Sequence, residues 1–192
     1  MSGIIAVGYF LFALFFSLLS FVLWTRIALR YFRVSTLHPV SQSINKVTNP
    51  IIMPLNHMIK TPTKARLSRY DWPCFCALVL VEILKFLAIG ALFLGAMLPL
   101  SFIPLYTLAD LIVEPLNLLF YAIIIRVIMG FINPSWHHPI ADLLRLVTEP
   151  VLRLARQFIP DIAGLDFSPY IVLVLIKVIT LYISASLPVH LI

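Results

Sequence analysis

Four long apolar stretches decide what this chain can fold into. The first, "IIAVGYFLFALFFSLLSFVLW", runs from Ile4 to Trp24 without a charge. The second, Pro73 to Leu100, is interrupted only by Glu82 and Lys85. The third runs from about Tyr106 to Ile132 and carries Asp110, Glu114 and Arg126. The fourth, Tyr170 to Val189, contains Lys177. A helix needs roughly 20 apolar residues to cross the hydrocarbon core of a bilayer. Helices satisfy their own backbone in lipid, whereas isolated strands do not.

Composition excludes the soluble alternative. Hydrophobic residues make up 61% of the chain and charged residues 11%, and the mean hydropathy is +1.04. A soluble domain has close to half apolar and about a quarter charged residues. The first stretch lacks a basic segment before it and a small-residue cleavage site after it, so it reads as a retained span rather than a signal peptide.

Eight basic residues of the first half lie between Arg26 and Arg69, and Arg126, Arg145, Arg153 and Arg156 cluster between the third and fourth spans. The positive-inside rule places both basic segments in the cytoplasm and both termini outside. The formal charge of +6 sits beside the membrane, which favours anionic lipid over nucleic acid as the partner. No phosphate-binding glycine loop or groove-reading basic helix is present. Cys74 and Cys76 read as apolar thiols, since a lone C-x-C is a weak metal signal.

The two basic segments repeat one another. "LHPVSQSINKVTNP" and "HHPIADLLRLVTEP" share His38/His138, Pro39/Pro139, Val47/Val147, Thr48/Thr148 and Pro50/Pro150 at an offset of one hundred residues. Arg26 matches Arg126 at the same offset, and Asp71 matches Asp166 after the first copy's longer loop. The expected architecture is an all-α membrane protein of four transmembrane helices. They form two parallel tandem repeats, each a span, amphipathic interfacial helices and a second span. Repeat 1 covers 1–100, with spans 4–30 and 72–98 and interfacial helices 39–60. Repeat 2 covers 101–192, with spans 106–132 and 168–189 and interfacial helices 139–159. Val40, Ile44 and Val47, like Ile140, Leu144 and Val147, line one helix face. Pro39 and Pro139 suit a first helical turn. Pro50 and Pro150 are expected to divide each amphipathic segment into two short helices, with Lys46, Arg145, Arg153 and Arg156 turned to lipid headgroups.

Charges within spans face protein or water. Glu82 and Lys177 are equivalent when Asp71 is matched to Asp166, and Lys85 lies three residues from Glu82. Glu82 is therefore expected to neutralise Lys177, Lys85 or both. Asp110, Glu114 and Asn117 fit either an outer vestibule or a wet interface. Snorkelling accounts for Arg26 and Arg126. Helix capping accounts for Asp71 and Asp166. His38 and His138 read as interfacial His-Pro turns, because their spacing and that of His57 and His137 fit no zinc or haem-attachment pattern. No catalytic or metal constellation stands out.

The second copy, "NPSWHHPIADLLRLVTEPVLRLARQFIPDIAGLDFSP", resembles the signature of the YggT family. The matching residues are Arg126, Pro139, Leu144, Thr148, Pro150, Arg153, Pro160, Gly164, Asp166, Ser168 and Pro169. The first copy keeps Arg26, Pro39, Ile44, Thr48, Pro50 and Asp71, then departs with "KTPTKARLSRYDWP". The resemblance implies a small inner-membrane protein without an assigned enzymatic activity. It implies roles linked in bacterial relatives to cell division and osmotic-stress tolerance, and in plastid relatives to covalent haem attachment to a cytochrome and to nucleoid distribution. No cofactor is expected beyond a possible haem, and the expected partner is an unidentified membrane, division or assembly protein. The leading expectation is an assembly or scaffold factor. The alternatives are a small transporter or channel subunit acting as a homo-oligomer, and a haem chaperone.

Overall fold

The structure, a computed structural model, describes residues 3–58, 71–93, 102–132, 138–158 and 166–187. The described residues form helices without strands: α1 (Gly3–Tyr31), α2 (Pro39–Met58), α3 (Trp72–Phe93), α4 (Ile103–Ile132), α5 (Pro139–Phe158) and α6 (Ser168–Ala185). Four of them, α1, α3, α4 and α6, are long and apolar enough to cross a membrane. At 1.5 Å per residue the 18 residues of α6 cover about 27 Å, close to the hydrocarbon thickness. The 29 of α1 and 30 of α4 reach well beyond it, which carries Arg26, Arg30 and Arg126 toward the headgroups. Phe10 and Phe15 on α1 are each 62% exposed. An apolar face of this kind is stable only against lipid or protein. The chain is a multi-pass membrane protein.

Packing divides the chain into two compact units. One comprises residues of Met1–Leu37 and Ser41–Glu114, the other residues of His38–Val40 and Pro115–Ile192. The division falls inside α4 at Pro115, which lies within the helix. The first unit is centred on Leu23, Ile52, Cys74, Ala77, Leu78 and Val81, joining α1, α2 and α3. The second is centred on Ile123, Leu152, Val172 and Ile176, joining α4, α5 and α6. Leu23 and Ile123, and Ile52 and Leu152, stand one hundred residues apart. Ala77 and Val172, and Val81 and Ile176, stand 95 apart, the offset of Asp71 and Asp166. Positions that match in the sequence thus occupy matching places in the two clusters. Lipid chains are as apolar as these side chains, so close packing rather than water exclusion holds the spans together. Small residues serve that end: Cys74 and Ala77 let α3 approach α1, and Cys74 Sγ donates to the Leu23 carbonyl at 3.6 Å.

Helix α1 ends at a left-handed residue, Arg33, with φ 55°. The Val34 amide donates to the Leu29 carbonyl and the Arg33 amide to the Arg30 carbonyl. These bonds satisfy the last carbonyls and turn the chain toward α2.

The amphipathic segments correct one expectation. Each is a single helix, not two short ones. Pro50 and Pro54 lie inside α2, and Pro150 inside α5. Each proline removes one amide donor, a cost of about 3 kcal/mol or more in a helix interior. All three are exposed, so the freed carbonyls lie on the outer side. Meanwhile Ser41, Thr48 and Ile52 on α2, and Ala141, Thr148 and Leu152 on α5, are buried. These spacings of seven and four residues keep one face in phase across the proline. A buried stripe anchored on both sides holds the helix together where local propensity would break it.

Candidate functional site

Two polar sites stand out. The first lies within the spans of the first unit. Glu82 is about 15 Å along α3 from Trp72, near mid-depth, and is fully buried. Its Oε1 accepts the Ser20 hydroxyl at 2.5 Å, and its Oε2 meets Lys85 Nζ at 2.6 Å. Lys85 also pairs with Asp110 of α4, which is 2% exposed. Ser17 Oγ donates to Glu114 at 3.2 Å. The Lys85 ammonium lies 4.9 Å from the centre of the Phe86 ring, itself packed on Tyr106. A lone charge at the bilayer centre costs several kcal/mol or more. Here helices α1, α3 and α4 supply each other's partners.

The structure thus brings Glu82 to Lys85. It places Lys177 in the second unit, 4.6 Å from the centre of the Phe120 ring. Asp110 corrects the vestibule and interface readings: it is buried as a partner of Lys85. Nothing within α3 alone pointed to Asp110 or Ser20.

The second site occurs once in each unit, where an amphipathic helix meets the spans. Arg26 Nη1 donates to Thr48 Oγ1 at 2.6 Å and to Asn49 Oδ1 at 2.9 Å. Its Nε lies 3.3 Å from Asp71 Oδ2, and Arg30 Nη1 lies 3.0 Å from the same oxygen. In the second unit Arg126 donates to Thr148 Oγ1 and to Glu149 Oε2, both at 2.7 Å. Arg156 then bridges Glu149 at 3.1 Å and Asp166 at 2.8 Å. Thr48 and Thr148 pass their own hydroxyl protons to the carbonyls of Ile44 and Leu144, at 2.8 and 2.6 Å. Each threonine thus accepts from an arginine and donates its one hydroxyl proton along its own helix.

These contacts correct several roles. Arg26 and Arg126 do not simply snorkel; each clasps an amphipathic helix onto a span. Asp71 is the counter-ion of Arg26 and Arg30. Asp166 pairs with Arg156, and its Oδ1 accepts the amide of Ser168, the first residue of α6, at 2.9 Å from one residue before the N-cap, Phe167. Arg156 faces two carboxylates, whereas Lys46 and Arg153 are exposed on their helices and Arg145 stands 4.0 Å from Asp142. Pro39 and Pro139 open α2 and α5. His38 and His138 accept the amides of Val40 and Ile140 through Nδ1, at 3.3 and 3.2 Å. His137, Pro160, Gly164 and the Lys60–Arg69 basic run lie outside the described residues, as does any statement on the His57 side chain. Among the described residues no group of three or more His, Cys, Asp or Glu is placed to hold a metal ion.

Electrostatics separate the two clasps. The hydrogen bond from Arg126 holds the Glu149 carboxyl below its usual range, with Arg156 adding to the effect. Burial alone would push Asp166 up, but bonds from Arg156 and Ser168 outweigh it and hold the carboxyl down. Asp166 in turn raises Arg156. The second clasp thus alternates Arg126, Glu149, Arg156 and Asp166 and is neutral. In the first, Asn49 stands where Glu149 stands, so among the described residues Arg26 and Arg30 both pair with Asp71, and these three groups together carry one positive charge. Beside them lies a cavity of about 430 Å³, lined by both arginines, Asp71, Ser41, Asn45 and Asn49 among others. Asn49 and Glu149, each next to a shared threonine, were the available sequence signal for this difference.

The family model for CCB3/YggT matches residues 5–92 and 104–187. The chain is 29% identical to the uncharacterized protein YggT of Escherichia coli (strain K12) over 181 residues, 93% of this chain and 89% of that one. It is 27% identical to an uncharacterized protein of Pseudomonas aeruginosa over 179 residues, covering 89% and 85%. It is 31% identical to an uncharacterized protein of Vibrio alginolyticus over 160 residues, covering 83% of each. No solved structure matches. With both halves matched by one family model, and Arg26, Thr48, Arg126 and Thr148 inside the matched residues, this chain belongs to the CCB3/YggT family.

Proposed function

We propose that the protein is a non-enzymatic assembly or scaffold factor of the bacterial inner membrane. In this reading both termini face outward and both basic segments face the cytoplasm, which the distribution of Lys and Arg supports. The observation that carries this reading is the clasp. Arg26 on Thr48 and Arg126 on Thr148 fix α2 and α5 against the spans, so that each presents a fixed outer face. Lys46, Arg145 and Arg153 on those faces meet anionic headgroups and a partner protein. The family resemblance directs the search for that partner to division-site and cytochrome-assembly machinery. Crosslinking in native membranes, with mass spectrometry of what is captured, tests it against Arg145→Glu/Arg153→Glu. Capture of a division or assembly protein, lost on charge reversal, supports the scaffold. Capture of this chain alone, indifferent to the reversal, removes it.

A second reading, a transporter or channel subunit acting as an oligomer, has one observation in its favour. Glu82, Asp110 and Glu114 set three carboxylates against the single ammonium of Lys85 inside the spans of one unit. An acidic excess at such depth is characteristic of ion and proton paths. Proteoliposome flux that is abolished by Glu82→Gln and Asp110→Asn would select it.

A further inference from the structure

The cavity of the first clasp is a built site without an assigned occupant. Its floor holds the Arg26 and Arg30 guanidinium groups against one carboxylate, Asp71, which is 4% exposed. The balance of these three groups is one positive charge. Ser41 lines the same cavity, is 4% exposed, and its Oγ has no hydrogen-bond partner among the described residues. A buried hydroxyl left unpaired costs free energy that a ligand oxygen would recover. Asn45 and Asn49 add amide groups, and Leu29 and Val34 add an apolar wall. Arg26 and Arg30 lie in the last turns of a span, which puts the cavity they line near the end of that span, at the level expected for lipid headgroups. A water molecule occupies roughly 30 Å³, so about 430 Å³ has room for a dozen or so. That suits a headgroup better than a bare ion, and it falls in the usual range of small-molecule sites.

We propose that this cavity holds the phosphate-bearing headgroup of an anionic phospholipid, with Arg26 and Arg30 on the phosphate, Ser41 donating to one of its oxygens, and Leu29 and Val34 against the glycerol. Guanidinium groups match phosphate oxygens in geometry and charge. The second clasp explains why only the first has this character: Glu149 already supplies there the negative charge that the first clasp lacks. The site is separate from the exposed basic faces of the scaffold reading and does not depend on it.

The test uses the full chain purified in a neutral detergent and titrated with short-chain phosphatidylglycerol, short-chain phosphatidylcholine or inorganic phosphate, read by native mass spectrometry. One phosphatidylglycerol should be retained per chain, in preference to phosphatidylcholine. Asn49→Glu gives the first clasp the charge of the second, and Arg30→Gln removes one guanidinium. Each should weaken phosphatidylglycerol binding about tenfold or more, the scale of one charge-assisted hydrogen bond. Lys177→Gln, which removes a cation of the second unit that lies over the Phe120 ring, should leave binding unchanged. Equal loss in Lys177→Gln, or none in Asn49→Glu and Arg30→Gln, overturns the proposal. Displacement of the lipid by inorganic phosphate, one for one, makes free phosphate the occupant and overturns the lipid assignment. Thermal unfolding identifies a variant that fails to fold; Arg30→Gln, which leaves Arg26 on Thr48, then decides alone.

Discussion

Arg26 Nη1 lies 2.6 Å from Thr48 Oγ1, and one hundred residues later Arg126 Nη1 lies 2.7 Å from Thr148 Oγ1. In both places a cation at the end of a long span grips a buried hydroxyl on an amphipathic helix, two residues before a proline. The bond fastens the helix beside its weakest point. Guanidinium geometry matters as well as charge, because Arg26 also reaches Asn49 and Asp71 from the same group.

Thr48→Val and Thr148→Val keep the shape of the side chain and delete its hydroxyl. Each should lower stability by about 1.5–3 kcal/mol, the range for a hydrogen bond to a charged group. Thermal unfolding in detergent reads the loss. Arg26→Lys should behave similarly, since a single ammonium cannot reproduce the forked contact. A double variant, Thr48→Val with Arg26→Lys, should fall short of the sum of the two losses.

Lys85→Met removes the ammonium between Glu82 and Asp110 and leaves both carboxylates buried. Breaking a buried pair from one side costs about 3–5 kcal/mol. The yield of folded protein should fall sharply. Adding Glu82→Gln and Asp110→Asn to Lys85→Met should restore much of it, because Glu114, which keeps its bond from Ser17, is then the one carboxylate left of the cluster. Gel filtration in detergent measures the folded fraction, and failure of the triple variant to recover would argue against charge pairing as the role of this cluster.

The second clasp makes a pH prediction. Glu149 and Asp166 have carboxyl groups held below their ordinary range. A carboxyl lowered by folding stabilises the folded state above its unfolded pKa and loses that contribution as pH falls through its folded pKa. The window therefore opens near pH 4, the ordinary range of Asp and Glu, and extends downward. Arg156, raised from an already high value, contributes nothing to this window. Unfolding midpoints measured from pH 6 to 3 should fall, and Glu149→Gln should flatten the dependence. These groups are about one-third exposed, so the slope should be modest and should shrink in high salt.

Cys74 is buried against α1, while Cys76, two residues on, is exposed. An apolar maleimide should label the chain once. Cys76→Ser should abolish the label and Cys74→Ser should not. Labelling of both thiols would show that α3 does not pack on α1 as described.

How much of this was legible in the sequence follows from which interactions are local. The spans needed only length and hydropathy: α1, α3, α4 and α6 are the four helices long and apolar enough to cross a membrane. The offset of one hundred already singled out Arg26, Thr48, Pro50 and their counterparts, because a repeated residue marks a repeated task. Glu82 and Lys85 were legible as a pair because three residues of helix put them on one side.

What the sequence by itself determined, then, was every relation set by helical periodicity, hydropathy or internal repetition. Only the tertiary structure decided the relations between helices. Asp110 meets Lys85, and Ser20 meets Glu82, through the packing of α1, α3 and α4. That packing depends on how side chains interlock and on no spacing along the chain. The same holds for the prolines. Local propensity divides α2 and α5 at Pro50 and Pro150, but a buried stripe on each side, clasped by an arginine from a span, holds each as one helix. Tertiary contact overrode the local rule because several packed residues and a charge-assisted bond outweigh a missing amide donor.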